Sequence, residues 1–452
     1  MKIKKPTILQ TIFVLLLSYI FFSYFKSIPY NNSQIDIAVI FTFILMLVLT
    51  VINIFRDKRP YSLNKTYWFF NLIFFVLAPL AQYLAGFHVW GYVLSDSTYI
   101  KGNVLIIIGN IIHMIFYKNN NEIFFEDKNK EIKEKNTLIL LLIAGICFML
   151  LILNVGFSNL FLRATNVSEF SENRMINTIL TFFLKAVPVY CFSIAYNSKK
   201  RIDINIILIG ILVFLMNFPV STTRFWMGSI YIGIMLMIFV KTKRNNRIQD
   251  LMFLAIFTIL FPLTYLFHFY SIEDIILKNK FSFDLASSYL SIDYDAYSVF
   301  LRIINYVGLN GVVLGKQLIG TILFLIPRSI WAGKPQATGA FIAQVTGQSF
   351  TNISSPFISE GYINFGIIGL LIFEMLLAII SSKLDGNYWS KEKNKYVKMV
   401  YPFLIGLLLF YERGALHHAV VYTFCFMLPL IIIFIKNIIF SKKDVKKQKV
   451  TN

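Results

Sequence analysis

Four short stretches hold the side chains that could do chemistry in this chain. Arg224 stands in FPVSTTRFWMG, where two apolar runs meet. Arg328 and Lys334 bracket Trp331 in IPRSIWAGKP, Glu360 sits in SSPFISEGYINFG, and Arg413, His417 and His418 share the turn YERGALHHAV. A charged group left at the centre of a bilayer costs about 2.5–3.5 kcal/mol, so each of these must face water, an anion or the interface. Arginine offers a planar fork matched to phosphate oxygens, and lysine a mobile point charge. The hydroxyls of Ser221, Thr222 and Thr223 beside Arg224 favour an anion site there over simple snorkelling. Pro327 and Pro335 stiffen the turn between them, and Gly333 allows close approach of backbone to a ligand. Trp331 could stack on a sugar face or anchor at the interface. Glu360 could be an acid/base group or a helix-start residue favoured by the macrodipole. His417 can accept a proton from a hydroxyl near neutral pH. It lies four residues after Arg413, a spacing that puts both on one face of a helical turn.

Other chemistries lack their residues. The chain has no phosphate-cradling glycine loop, no dinucleotide-binding glycine pattern and no Cys/His set at metal-ligand spacing. Asp293 and Asp295, two apart on an expected helix, do not face one way, so no metal and no cofactor is expected. Cys147, Cys191 and Cys425 all fall inside apolar runs and read as small membrane-buried residues.

The elements that must position these groups are membrane helices. With 57% hydrophobic and 15% charged residues in 452, the composition excludes a soluble fold. An all-α integral membrane protein is expected, with about 12 spans at 8–25, 35–55, 66–84, 99–117, 137–155, 175–196, 204–220, 225–240, 250–270, 357–380, 399–411 and 419–440. Met1–Phe25 reads as a first span behind Lys2, Lys4 and Lys5, with no cleavable signal. Alternate loops starting from a cytoplasmic amino terminus hold 29 of the 43 Lys and Arg, and the opposite loops hold about 11. Both termini are therefore expected in the cytoplasm. This asymmetry accounts for most of the net charge of +20, so no nucleic-acid partner is implied.

The chain reads as one polytopic membrane domain, 1–452. Residues 118–136, with five Lys and five acidic side chains, read as a cytoplasmic linker. The tail SKKDVKKQKVTN reads as a cytoplasmic anchor beside anionic lipid. Residues 271–356 form one large extracytoplasmic loop, and loops of this length usually carry function. Its first half, containing Asp293, Asp295 and Arg302, predicts an amphipathic helix along the outer surface. The 11 apolar residues Gln317 to Pro327 are too few to span and predict a re-entrant or interfacial segment.

On the IPRSIWAGKP and SSPFISEGYINFGIIG stretches, the helix-boundary Arg224 and the late Arg413–Gly414 turn, the chain resembles the Wzy-type O-antigen and capsule polysaccharide polymerases, the oligosaccharide repeat-unit polymerases of bacteria. The whole topology shares in the resemblance. It implies a metal-independent glycosyltransferase of a GT-C-like membrane class in the inner membrane. The donor would be a glycan on undecaprenyl pyrophosphate, and the acceptor the end sugar of a second lipid-linked unit. Arg224, Arg328 and Arg413 would then meet the pyrophosphate, with His417 first and Glu360 second as base. Lys334, Trp331, Arg302, Asp295 and His418 would hold substrate. A chain-length regulator and a repeat-unit flippase are the implied partners. The related O-antigen ligases share the late outer loop and stay open as an alternative. A transporter of lipid-linked oligosaccharide is a further reading, although no matching halves are visible; a scaffold would leave the arginines without a role.

Overall fold

A computed structural model describes residues 35–118, 136–161, 174–198, 202–219, 221–242, 289–391 and 395–432. The expected spans at 8–25 and 250–270, most of the 118–136 linker, the start of the 271–356 loop and the basic tail lie outside the described residues. Every regular element among the described residues is helical.

Among the described residues six helices are long and apolar enough to cross a membrane: α1 (Ile37–Arg56), α2 (Leu63–Leu84), α3 (Asp96–Phe116), α4 (Thr137–Val155), α5 (Met175–Ser198) and α11 (Phe357–Trp389). The shorter α6 (Ile204–Met216) and α13 (Leu416–Ile432), with α7 (Arg224–Thr242) and α12 (Lys395–Arg413), occupy the remaining predicted spans in the described parts. Polar side chains fix several starts by accepting orphan backbone N–H groups. Asp36 accepts from Ala38 N at 2.7 Å, Ser62 from Lys65 N at 2.8 Å and Asp203 from Ile206 N at 2.9 Å.

Helix α2 is the hub, with 94% of its apolar window buried against 17% for α4, whose bare Leu and Ile face is what lipid requires. Midway, at Asn71–Leu77, α2 opens into a π-helix. Pro79 follows directly; it has no N–H to donate and its ring crowds the carbonyl four residues back, which the wider turn relieves. The predicted cytoplasmic end is tied by a buried polar cluster. Arg59 Nε meets Asp57 at 2.8 Å, Arg59 Nη2 donates to Tyr117 Oη at 2.6 Å, and Tyr117 and Tyr401 both donate to Asp385.

Helix α11 is not one rod. Phe365 and Gly366 leave helical geometry, Gly366 at φ 64°, and the chain doubles back. A Cβ at Gly361 would lie 2.5 Å from Gly369 O, and the Phe357 and Phe373 rings stand 5.1 Å apart. Such pairs meet only in a helical hairpin, because a straight helix would separate the glycines by about 12 Å and the phenylalanines by about 24 Å. Only residues 367–389 can act as the span; residues 357–364 run back beside it, so Phe357 lies about 12 Å along the axis from the hairpin tip.

Within the large loop, α8 (Ala296–Asn310) buries every residue from Ala296 to Ile304 against α3, α11 and α2. The sequence pattern predicts a surface helix here; Phe300, Leu301 and Ile303 are instead core, because α11 folds back and encloses them. Gln317 to Pro327 forms α9 (Lys316–Ile322) and following turns, with Ile319, Ile322, Leu323 and Leu325 exposed. Helix α10 (Thr338–Val345) precedes the hairpin.

Candidate functional site

Two aspartates two residues apart organise the site. A 3₁₀ turn, Ile292–Tyr294, leads into the start of α8 and aims their carboxylates at different helices. Asp293 accepts from Arg224 Nη1 at 2.9 Å, at the first residue of α7. Asp295 meets Arg413 Nη2 at 3.4 Å, at the last residue of α12. Buried Asp295 also accepts from Ser354 N at 3.1 Å, from the Ser354 hydroxyl and from Trp90 Nε1 at 3.2 Å. One carboxylate thus joins the α2–α3 loop, the segment before the hairpin and the end of α12.

The two arginines differ in their surroundings. Arg224 is 38% exposed, so part of its guanidinium stays open beside its aspartate partner. Arg413 is 11% exposed and lies over the rings of Phe225, at 5.3 Å, and Phe74, at 6.0 Å. Phe74 belongs to the π-helical stretch of α2, so that irregular turn reaches the site. Arg413 Nε has no hydrogen-bond partner although buried, which leaves one charged N–H available. Ser355 N donates to Arg413 O at 3.3 Å, setting this group at the level of Phe357, well inside the hairpin tip.

Glu360, on the returning arm of the hairpin, is buried with both oxygens engaged. Thr338 Oγ1 donates to Oε2 at 2.6 Å and Leu416 N to Oε1 at 3.1 Å. It therefore bridges α10 and the first turn of α13. Arg328 and Lys334 hold their own loop: Arg328 Nη1 donates to Lys334 O at 2.7 Å, and Lys334 Nζ to Phe324 O at 2.7 Å and Ile326 O at 2.9 Å. Burial and the nearby Arg328 guanidinium hold the Lys334 ammonium below its ordinary range. Trp331 is half-buried, closing the turn through Lys334 N to Trp331 O at 3.0 Å. Arg302 is wholly buried. It donates Nη2 to Val89 O at 2.7 Å and lies 4.6 Å over the Tyr92 ring, so it acts on the site through those neighbours.

The spacing of Arg413 and His417 predicts one shared helix face, and the structure separates them. Helix α12 ends at Arg413 and α13 begins at Leu416, and the break comes at Gly414, where a Cβ would strike the Phe410 ring. Arg413 turns to Asp295, while half-buried His417 sits toward Lys334 and Arg328, with exposed His418 beside it. The site therefore has two parts: an Arg224–Asp293/Asp295–Arg413 rim, and a His417–Lys334–Arg328 group across Glu360.

Sequence reasoning missed Trp90, Thr338 and Ser354, whose residue types carry no signal without their partners. It also passed over Glu374 and Glu412. Both are buried in the helix core, Glu374 accepting from Tyr67 Oη at 3.0 Å and Glu412 Oε1 without a partner. A carboxylate inside an apolar run was the signal that could have found them. Among the described residues no three His, Cys, Asp or Glu side chains group so as to hold a metal ion.

No curated protein and no solved structure matches the chain. A family model does, that of the O-antigen polysaccharide polymerase Wzy, over residues 351–444. That stretch, about a fifth of the sequence, runs from Ser354 and the hairpin through Glu360 and Arg413 to His417 and α13. By this match that stretch is similar to the O-antigen polysaccharide polymerase Wzy family, and the apolar helices make the chain a multi-pass helical membrane protein.

Proposed function

We propose that the chain joins polyprenyl-pyrophosphate-linked oligosaccharide repeat units at the outer face of the bacterial inner membrane. The observation that carries this reading is the meeting of Arg224 and Arg413 at the paired aspartates, against the segment matched by the polymerase family. In the reaction an acceptor hydroxyl forms a bond to the donor's anomeric carbon. The bond from that carbon to the pyrophosphate oxygen breaks, and the pyrophosphate leaves on its lipid. Two negative phosphates developing charge at once need cations fixed in a poorly solvated place. Arg224 and Arg413 serve here by exchanging aspartate for phosphate, and Arg328 adds a third positive group from the loop. His417 takes the hydroxyl proton. Glu360, saturated by Thr338 and Leu416, serves better as the post that holds α13 and His417 in place than as a base. Lys334, Trp331 and His418 line the acceptor side, and Asp295 and Arg302 position the rim. The partners on this reading are the lipid-linked glycan, the flippase that delivers it and a chain-length regulator.

The test is purified full-length protein in liposomes with lipid-linked repeat units and no nucleotide sugar. Longer glycans and released polyprenyl pyrophosphate are expected. Transfer onto a different lipid-linked acceptor with no lengthening would indicate a ligase, and movement of intact units between leaflets with no new glycosidic bond would indicate a transporter. Orientation is tested separately: a cysteine replacing Gln348 in a Cys-free background should react with an impermeant thiol reagent in intact cells, and one replacing Asn394 should not. The reverse pattern would overturn the outer placement of the site.

A further inference from the structure

The loop between α2 and α3 carries a local arrangement that the catalytic reading does not use. Trp90 has φ 57°, in the left-handed region that a bulky side chain rarely enters, and Gly91 follows at φ 67°. Strain of this kind costs about 1–3 kcal/mol and persists only where the surroundings over-determine it. Here they do so from three sides. Trp90 Nε1 donates to Asp295, Gln348 Nε2 donates to Trp90 O at 3.4 Å, and the indole packs on Phe350 at 4.2 Å between centroids. Tyr92 is fixed alongside by the Arg302 guanidinium beneath its ring. All three aromatic rings are half-buried, so each still shows part of a face.

What surrounds the rings decides what they face. Exposed His88, Gly91, Val93, Ser349, Thr351 and Asn352 flank them along the chain. The chain's lipid-facing surface differs, presenting unbroken aliphatic side chains such as Leu142, Ile146 and Leu153. An indole anchoring at a membrane interface points its N–H outward to water and headgroups. Trp90 points its N–H inward, to a carboxylate that also holds Arg413. Rigid aromatic faces edged by hydroxyl, amide and imidazole groups suit a ligand with apolar C–H faces and hydroxyl edges.

We propose that Trp90, Tyr92 and Phe350 form a carbohydrate-binding subsite that receives a sugar ring of the glycan beside the Asp295–Arg413 rim. This rests on the glycan-polymerising reading above and adds residues that lie outside the family-matched stretch. Because Asp295 bonds both Trp90 and Arg413, a ring seated on the platform is held in register with the group that meets the pyrophosphate. The subsite governs glycan affinity, and the chemical step remains with the other residues.

The probe is the repeat-unit oligosaccharide released by mild acid from the cells' own lipid-linked intermediates. It is titrated into the full-length protein in nanodiscs and followed by calorimetry and tryptophan fluorescence. Trp90→Ala and Phe350→Ala should each weaken binding by about threefold to tenfold, the range for one aromatic contact. Phe350→Ala should raise KM for the lipid-linked acceptor with kcat little changed, and Trp90→Phe, which keeps a ring, should retain most of the affinity. Tyr92→Ala carries the test if Trp90→Ala fails to fold. Unchanged binding in Phe350→Ala and Tyr92→Ala, with wild-type protein polymerising normally, would overturn the subsite and leave the polymerase standing. Binding that depends on these rings in a protein that forms no polymer would keep the subsite and remove the proposed reaction.

Discussion

Asp295→Asn preserves the shape of the side chain and removes one charge from the point where three segments meet. Oδ1 accepts from the Ser354 hydroxyl and Arg413, and Oδ2 from Ser354 N and Trp90 Nε1. An amide has one acceptor oxygen; in its better orientation the NH₂ takes the place of Oδ1, where the Ser354 hydroxyl can rotate to accept but Arg413 cannot. The Arg413 bond to a charged group is lost, at about 1.5–3 kcal/mol, and the other three drop to neutral strength, at about 0.5–1 kcal/mol each, for a total of about 3–6 kcal/mol. The mostly buried Arg413 also loses its counter-ion. Against a folding margin of about 5–15 kcal/mol this is a large fraction. At about 2 °C per kcal/mol for a large chain, the melting temperature should fall by roughly 6–12 °C. Polymer formation should fall with it even at temperatures where the variant remains folded, because Arg413 and Trp90 lose their common post. A double-mutant cycle with Arg413→Gln should return a coupling of about 1–3 kcal/mol. The assays are thermal unfolding in detergent and glycan length from lipid-linked repeats. If Asp295→Asn melts within a degree of wild type, forms full polymer and adds independently to Arg413→Gln, the hub is refuted.

Three further outcomes are expected. Arg224→Lys and Arg413→Lys should each abolish polymer while single lipid-linked units accumulate and protein level holds, since a point charge cannot replace a bidentate fork; normal polymer in both would remove them from the mechanism. Gly361→Ala puts a methyl against backbone atoms of Gly369, so it should destabilise by about 1–3 kcal/mol and cut activity through a splayed hairpin; a neutral result in both readouts would mean the two arms do not touch. His417→Ala should lower turnover by about 10²–10⁴-fold while lipid-linked substrate still binds, and undiminished turnover in the variant would remove it as the base.

Hydropathy alone determined the described spans to within a few residues at α1 to α5, because a bilayer demands a run of about 20 apolar residues whatever their neighbours. The residue types of the site were equally plain, since Arg224, Glu360 and Arg413 stand out against hydrocarbon wherever the chain folds. What sequence could not show is which of them meet. The Gly361–Gly369 contact depends on φ at Gly366, and one positive value turns a predicted straight span into a hairpin that carries Glu360 inward. That reversal encloses α8, whose pattern alone reads as a surface helix. The break at Gly414 parts Arg413 from His417, although their spacing pairs them, because helical spacing holds only where the helix continues. Trp90 and Asp295, 205 positions apart, share a hydrogen bond that no local pattern encodes. Periodicity reports what a segment buries, and only tertiary packing selects the partner it buries against.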